Sequence, residues 1–168
     1  MYRGKYLTSL DDISDILSVR KAIPEFAPGL RDERDGMAIY ALVYDEDDTP
    51  MGCGRMYIGD DNRFCFDTIG VIEEKRRLFI GDLISRMLLY RAQTLNADSI
   101  VLRAPDDLIP YFARYGFVAG EPCENVCGKS AHFMSVKGDK IRLEGSCSRS
   151  NAGCGGDCAH CAEQSAES

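Results

Sequence analysis

The sequence predicts an α+β domain with a single core, followed by a cysteine-rich extension. Three features carry that prediction. Short β-prone runs at residues 38–44, 51–58 and 64–72 are separated by turn clusters, which reads as a three-strand meander. From about Ile80 to near Asn96, the residues Ile80, Leu83, Ile84, Met87 and Leu88 fall on one face of a helix. Past Met134 the large aliphatics are Val136, Ile141 and Leu143, and from Gly145 onward nearly every residue is small, polar or Cys. Such a stretch has too little apolar surface to offset its ordering entropy. The expected organisation is a domain over residues 1–137 and a tail over 138–168, either disordered or held by metal.

Taken in order, residues 1–8 form a first strand, and Asp11 or Asp12 caps a helix running to about Ala22, with Ile13, Ile16, Leu17 and Arg20 in register. Pro24 and Pro28 break that pattern. The meander follows, with turns at 45–50 and 59–62. Gly52 and Gly54 in its middle strand permit close approach or a bulge. The long helix ends near Asn96, a residue that tolerates the left-handed cap. A short buried strand at 99–103 and a short helix at 106–115, stopped by Gly116, come next. Late strands are expected at 117–119 and 131–136.

Composition narrows the function. The 168 residues carry a formal charge of −7, which argues against nucleic acid as the main partner. No apolar run approaches membrane-spanning length. The first residues, Met-Tyr-Arg-Gly-Lys-Tyr, lack the apolar segment of a signal peptide, so a cytoplasmic protein is expected. Acidic crowding at 32–35, 45–48 and 60–61 reads first as solvated loops and second as attraction for a cationic amine. The eight cysteines suggest metal or redox chemistry in a reducing compartment. Cys53 and Cys65, inside predicted strands, read as packing.

The segment most informative about chemistry is Val71-Ile72-Glu73-Glu74-Lys75-Arg76-Arg77-Leu78-Phe79-Ile80-Gly81. A β-branched strand ends, a basic loop turns, and a helix begins. The first amides of that helix lack partners, and its dipole favours negative charge. Lys75, Arg76 and Arg77 add full charge beside them. This is a phosphate-binding arrangement, although an ordinary strand-to-helix turn with solvated basic residues has the same local pattern.

Over residues 1–137 the order of elements resembles the GNAT family of acyl-CoA N-acyltransferases. The family's cofactor loop reads Gln/Arg-x-x-Gly-x-Gly/Ala after a strand ending in Val. Here Arg76, Ile80 and Gly81 match in register, with Phe79 in place of the first Gly. A second match is Ile109-Pro110-Tyr111-Phe112-Ala113-Arg114-Tyr115-Gly116-Phe117. It is similar to the family's Phe-Tyr-x-x-x-Gly-Phe segment, with Phe112 where the family's acidic Tyr stands. A third, Gly120-Glu121-Pro122 and then His132-Phe133-Met134, resembles a bacterial subgroup closing with His-x-Met that also carries an acidic segment before its second strand, as 31–35 does here.

The resemblance implies a mixed central sheet flanked by helices, and transfer of acetyl from acetyl-CoA to a primary amine by direct attack. It implies that Arg76, Arg77, Leu78, Phe79, Ile80, Gly81 and Asp82 grip the diphosphate. Ile69 and Val71 would present amides to the thioester and pantetheine arm, and Phe112 would line the cofactor groove. Asp67 is the candidate base, directly or through water, with a solvated strand-edge role as the alternative. Tyr111 is the candidate acid, with packing as its alternative and Tyr115 as its neighbour. His132 is a second candidate base or simply a hydrogen-bonded strand residue. The acceptor would be a small-molecule or peptide amine, and a homodimer paired through the late strands is a further expectation.

In the tail, Cys147, Cys154, Cys158 and Cys161 read C-x6-C-x3-C-x2-C. Four thiolates satisfy a structural Zn2+ site. The triplet Cys154, Cys158 and Cys161 also resembles a loop that holds an iron–sulfur cluster, with Cys147 as fourth ligand. His160 could replace one ligand, and Cys123 and Cys127, expected in the loop before the last strand, could join. A competing reading follows: a GNAT-fold protein that has lost its acid and senses metal or redox state through the tail.

Overall fold

The computed structural model describes residues 1–26 and 31–143. Cys147, Cys154, Cys158 and Cys161 lie outside the described residues, as does Pro28. Among the described residues no group of His, Cys, Asp and Glu is arranged to hold a metal ion, and no helix is long and apolar enough to cross a membrane.

The chain runs β1 (Arg3–Thr8), α1 (Ser14–Ala22), β2 (Ile39–Tyr44), β3 (Pro50–Ile58), β4 (Arg63–Val71), α2 (Ile80–Thr94), β5 (Ser99–Pro105), α3 (Ile109–Ala113), β6 (Val118–Val126) and β7 (Lys129–Lys137). These build a seven-stranded sheet in the order β1-β2-β3-β4-β5-β7-β6. Every pairing is antiparallel except β4 with β5, which are parallel. A mixed sheet with helices on both faces is the architecture expected from the sequence.

Each face has its own core. The apolar stripe of α2, with Ile80, Ile84, Leu88 and Leu89, packs with Phe64, Phe66, Ile100, Leu102 and α3's Phe112 on one face. Ile16 and Val19 of α1 pack with Tyr40, Leu42 and Cys53 on the other. The α2 stripe is legible because helical periodicity faces one sheet. Its end is legible too: Asn96 takes φ +55 just past the last turn. At α1, Asp12 accepts the Ser14 amide at 2.9 Å, while Asp11 turns back to Thr8.

The late strands differ from expectation. β6 and β7 run to a tight hairpin at Cys127-Gly128, where φ is +52 and +75. Positive φ at both central residues matches the twist of the flanking strands. Cys123 therefore sits on β6 and Cys127 in the turn, rather than both in a loop. The segment 121–126 has no alternating apolar pattern because β6 is an exposed edge strand. Beyond Lys137 the chain stays against the domain: Ile141 and Leu143 pack on the α2-face core, and the Arg142 amide donates to the Tyr115 carbonyl at 2.9 Å.

Helix α2 reaches the sheet over glycine. A Cβ on Gly54 would lie 2.8 Å from both Ile84 Cγ2 and Leu88 Cδ1, and 3.2 Å from Ile69 Cγ1. Ile84 and Leu88 are fully buried, so they have little room to yield. Gly54→Ala is expected to destabilise the protein by about 1–3 kcal/mol through overpacking. A lowered urea midpoint with an unchanged slope measures it.

Candidate functional site

Pairing between β4 and β5 stops at Cys65 and Val101. β4 continues beside β3 to Val71, and β5 continues beside β7 to Pro105. The two strands therefore diverge, and β4 beyond Cys65 has no strand partner on that side among the described residues. Within this free stretch β4 bulges. Asp67 opposes Arg55 and Gly70 opposes Cys53, so β4 holds one more residue than β3 between those pairs. Thr68 takes φ +45, a strained conformation for a β-branched residue. The Ile72 amide donates to the Met51 carbonyl of β3 at 2.9 Å. Amide directions alternate along a strand, so the Val71 N–H points away from β3, into the gap.

Next to that gap lies the basic loop. Arg77 and Phe79 both adopt left-handed φ, at +67 and +58. A run of this kind curls successive N–H groups into an anion-binding concavity. The amides of Phe79, Ile80, Gly81 and Asp82 make no hydrogen bond among the described residues, whereas the Arg76 amide donates to Glu73 O at 3.2 Å. The free donors at the start of α2 are thus those of 79–82, within the span 76–82 that the sequence singled out, and the Arg76 amide is not among them. Phe79 occupies the position of the family's Gly with a Gly-like backbone. Its ring is 58% exposed and does not line the adjacent cleft, so it leaves the amides open.

The three basic side chains divide their roles. Lys75 pairs with Asp45 at 3.5 Å. Arg76 donates through Nε to the Val71 carbonyl at 3.1 Å and through Nη2 to Glu25 at 3.3 Å. Arg77 has no ion-pair partner among the described residues. Leu78 is partly exposed and does not line the cleft. Asp82 offers only its amide at the start of the helix. Its carboxylate is turned toward α3, where it accepts from Tyr115 and from Arg86 at 2.8 Å, with Arg114 at 3.6 Å.

The gap opens into two clefts. The first, about 410 Å3, is lined by Ile69, Gly70, Val71, Arg76, Gly81, Tyr111 and Phe112, with Glu25, Phe26 and Cys127 on the far wall. The second, about 560 Å3, lies on the α1 face of the sheet and is lined by Asp32, Arg34, Arg55, Tyr57, Asp67, Thr68 and Arg103. Phe26 and Cys127 line both. The clefts therefore adjoin at the bulge of β4.

Tyr111 and Tyr115 part company. Tyr115 is buried and held by Asp82. The Tyr111 hydroxyl meets Ser85 Oγ at 3.0 Å, and a Cβ on Gly81 would lie 3.5 Å from it. Tyr111 thus reaches the start of α2 and the first cleft. Burial pushes its pKa up, which keeps the phenol protonated through the neutral range. Phe112 is buried beside it, edge-on at 4.9 Å between ring centres.

Asp67 is not a free strand-edge carboxylate. Its oxygens accept from Arg55 Nε and Nη2, both at 2.7 Å. Arg55, 2% exposed, also binds Asp32 at 2.6 Å and Asp35 at 3.1 Å. Asp35, 1% exposed, binds Arg20 from α1 at 3.0 Å and accepts from Tyr40 at 2.6 Å. Burial alone would raise the Asp35 pKa, but the hydrogen bonds from Arg20, Tyr40 and the Asp32 amide hold it well below the usual carboxylate range. His132 lies apart from this network, with Nδ1 2.7 Å from Asp106.

Sequence reasoning missed Glu25, Phe26, Arg55 and Ser85. Only Ser85 carried a usable signal, as a polar residue on the buried face of an otherwise apolar helix.

No family model matches the sequence. Among solved structures the chain is similar to an acyl-CoA N-acyltransferase from Pseudomonas aeruginosa, at 17% identity and a TM-score of 0.71, covering 80% of this chain and 99% of that one. It is similar to Escherichia coli ElaA at 18% identity and a TM-score of 0.70, covering 82% and 100%. It is similar to the ribosomal-protein-S18-alanine N-acetyltransferase of Escherichia coli at 12% identity and a TM-score of 0.62, covering 82% and 94%. At such identities the likeness is one of architecture, and with the splayed β4–β5 pair it establishes that this chain has the GNAT acyl-CoA N-acyltransferase fold.

Proposed function

We propose that this protein is an acetyl-CoA-dependent N-acetyltransferase that acylates a primary amine by direct attack. The observation that carries this reading is the meeting of two clefts at the bulged end of β4. One cleft begins at bare helix-N-terminal amides, and the other presents the carboxylates of Asp32 and Asp67 among arginines.

The residues fit a diphosphate-bearing thioester. The amides of 79–82 and the guanidinium of Arg76 hold the diphosphate, and Ile69, Val71 and Phe112 receive the arm. Acetyl-CoA, when bound, supplies the activated acetyl group. The Val71 N–H, already aimed into the gap, is placed to polarise a carbonyl there. Asp67 is oriented by Arg55 but keeps spare lone pairs, since each carboxylate oxygen accepts more than one hydrogen bond. It draws the acceptor ammonium into the second cleft and takes its proton through water. Tyr111, the candidate acid of the sequence, holds a proton at its hydroxyl, ready for the leaving thiolate, one position before the site where the resemblance places that role and where Phe112 stands. The two clefts position their reactants end to end, and this proximity lowers the barrier further.

Calorimetry with acetyl-CoA tests the reading, with micromolar binding expected and absence of binding at millimolar concentration overturning it. Tyr111→Phe separates acid from packing. It is expected to lower kcat about 100-fold, the scale of a lost general acid, with acetyl-CoA affinity unchanged. Thiol release monitored over a panel of primary amines reads kcat, and an unchanged kcat returns Tyr111 to packing.

A further inference from the structure

The second cleft holds two opposite charges apart. Cys65 and Val101 form the last pair between the parallel strands β4 and β5. Asp67 and Arg103 each stand two residues beyond that pair, so both project on the same face of the sheet at matching height, where the strands have begun to diverge. Both line the second cleft. They nevertheless form no ion pair: Asp67 is engaged by Arg55 and Arg34, and Arg103 has no hydrogen-bond or ion-pair partner among the described residues.

The reason lies beneath them. Arg55 and Arg20 are shared among Asp32, Asp35 and Asp67, and Arg34 reaches Asp67 from the cleft wall at 3.6 Å, so the three carboxylates are matched by three guanidiniums without Arg103. Two of these carboxylates, the half-exposed Asp32 and the partly exposed Asp67, reach the cleft and keep lone pairs for a further donor. Arg55 grips Asp67 through both oxygens, so Arg103 gains little by swinging to it. A guanidinium unpaired among the described residues and two partly exposed carboxylates therefore face each other across a gap. The rings of Tyr57 and Phe133 line the same cleft.

Resting on the transferase reading above, we propose that the acetyl acceptor is a zwitterion: a free α-amino acid with an apolar or aromatic side chain. Its ammonium lies toward Asp32 and Asp67, its carboxylate on Arg103, and its side chain against the aromatic wall. A monocationic amine would satisfy the carboxylates but leave Arg103 without a counter-charge, while a zwitterion matches both. The amine end is then the one next to the β4 bulge, where the two clefts adjoin. On reaction the ammonium first gives one proton through water toward Asp67. The neutral amine nitrogen then forms the new bond to the acetyl carbon, the carbon–sulfur bond breaks, and the second proton shed by that nitrogen balances the one that Tyr111 gives to the leaving thiolate.

L-phenylalanine and phenethylamine, which differ by the carboxylate, are the probes. With full-length protein saturated with acetyl-CoA, kcat/KM for L-phenylalanine is expected to exceed that for phenethylamine by about tenfold or more, the scale of a hydrogen-bonded charge contact. In Arg103→Gln that ratio is expected to collapse toward unity through a raised KM for L-phenylalanine. Equal use of both amines by the unaltered protein, or an unchanged ratio in Arg103→Gln, overturns the proposal. Direct calorimetry keeps this test separate from the transferase reading. Absence of L-phenylalanine binding at millimolar concentration sinks the acceptor assignment even if acetyl-CoA binds. Conversely, L-phenylalanine binding that is lost in Arg103→Gln sustains the zwitterion site even if acetyl-CoA does not bind.

Discussion

Asp35→Asn is expected to cost about 3–5 kcal/mol of folding stability, the range for breaking a buried ion pair from one side. Asp35 accepts from both guanidinium nitrogens of Arg20, at 3.1 and 3.0 Å, from Arg55 at 3.1 Å and from the Tyr40 hydroxyl at 2.6 Å. Asparagine keeps the shape but removes the charge, and its amide hydrogens face donors. Arg20 already has a buried Nε without a partner, so it has no reserve contact to fall back on. A fall in the urea midpoint at neutral pH measures the effect. A loss below about 1 kcal/mol, the range of an exposed pair, would show that Arg20 and Arg55 reach solvent when Asp35 is neutral.

The same residue sets an acid limb. The folded-state pKa of Asp35 is depressed, and that of Asp32 is lowered as well, where hydrogen bonds from Arg55 outweigh the opposing effect of burial. A depressed carboxylate contributes stability that is fully present above its unfolded value, near pH 4 for Asp, and that is lost as pH falls through the folded value. The unaltered protein is therefore expected to lose stability progressively below about pH 4. Asp35→Asn, less stable at neutral pH, is expected to show a shallower acid limb. The network matters beyond stability, because Arg55 both caps the buried charge and fixes the direction of Asp67 in the second cleft.

Which parts of this molecule are legible in its sequence follows from the range of the forces that make them. Helix α2 and strand β4 are local: five apolar residues at helical spacing and a β-branched run announce them, and the basic loop between is readable from charge and dipole. The left-handed Phe79 was readable only as a departure from a motif. Its conformation is set by the turn geometry, which the ring satisfies by staying in solvent. The bulge at Thr68 has no local signal, since it exists only relative to the register of β3. The Arg20–Asp35–Arg55–Asp67 network was invisible for the same reason. Its members lie on α1, the turn before β2, β3 and β4, and only the sheet brings them together. The acidic run at 32–35 thus read as a solvated loop, although Asp35 is among the most buried residues of the protein. The late hairpin escaped because an edge strand exposed on both faces carries no period, and the Cys127-Gly128 turn lacks the Asn-Gly or Asp-Gly pair that marks such turns.

Arg76→Glu is expected to weaken acetyl-CoA binding about 100-fold, about 2.7 kcal/mol, with little change in folding stability. Arg76 stands on the cleft wall whereas Arg77 does not, so reversing this charge replaces an attraction for the diphosphate by a repulsion at the same place. Folding should hardly register the change, because the Arg76–Glu25 pair has both side chains 43% exposed and pairs of this kind contribute about 1 kcal/mol or less. Arg76→Gln removes the attraction without the repulsion and is expected to lie between the two, near tenfold. Glu25→Gln should move affinity the other way, because Glu25 competes with the ligand for the Arg76 guanidinium at 3.3 Å. Added salt should compress all three differences, since the loop is open to solvent and exposed charges are screened within about 10 Å at 0.1 M ionic strength. Calorimetric titration of the unaltered protein and the three variants at two salt concentrations measures the series. If Arg76→Glu and Arg76→Gln weaken binding equally, the guanidinium acts through its Val71 carbonyl contact, shaping the loop, rather than through charge. If neither changes affinity, the anion sits on the amides of 79–82 alone.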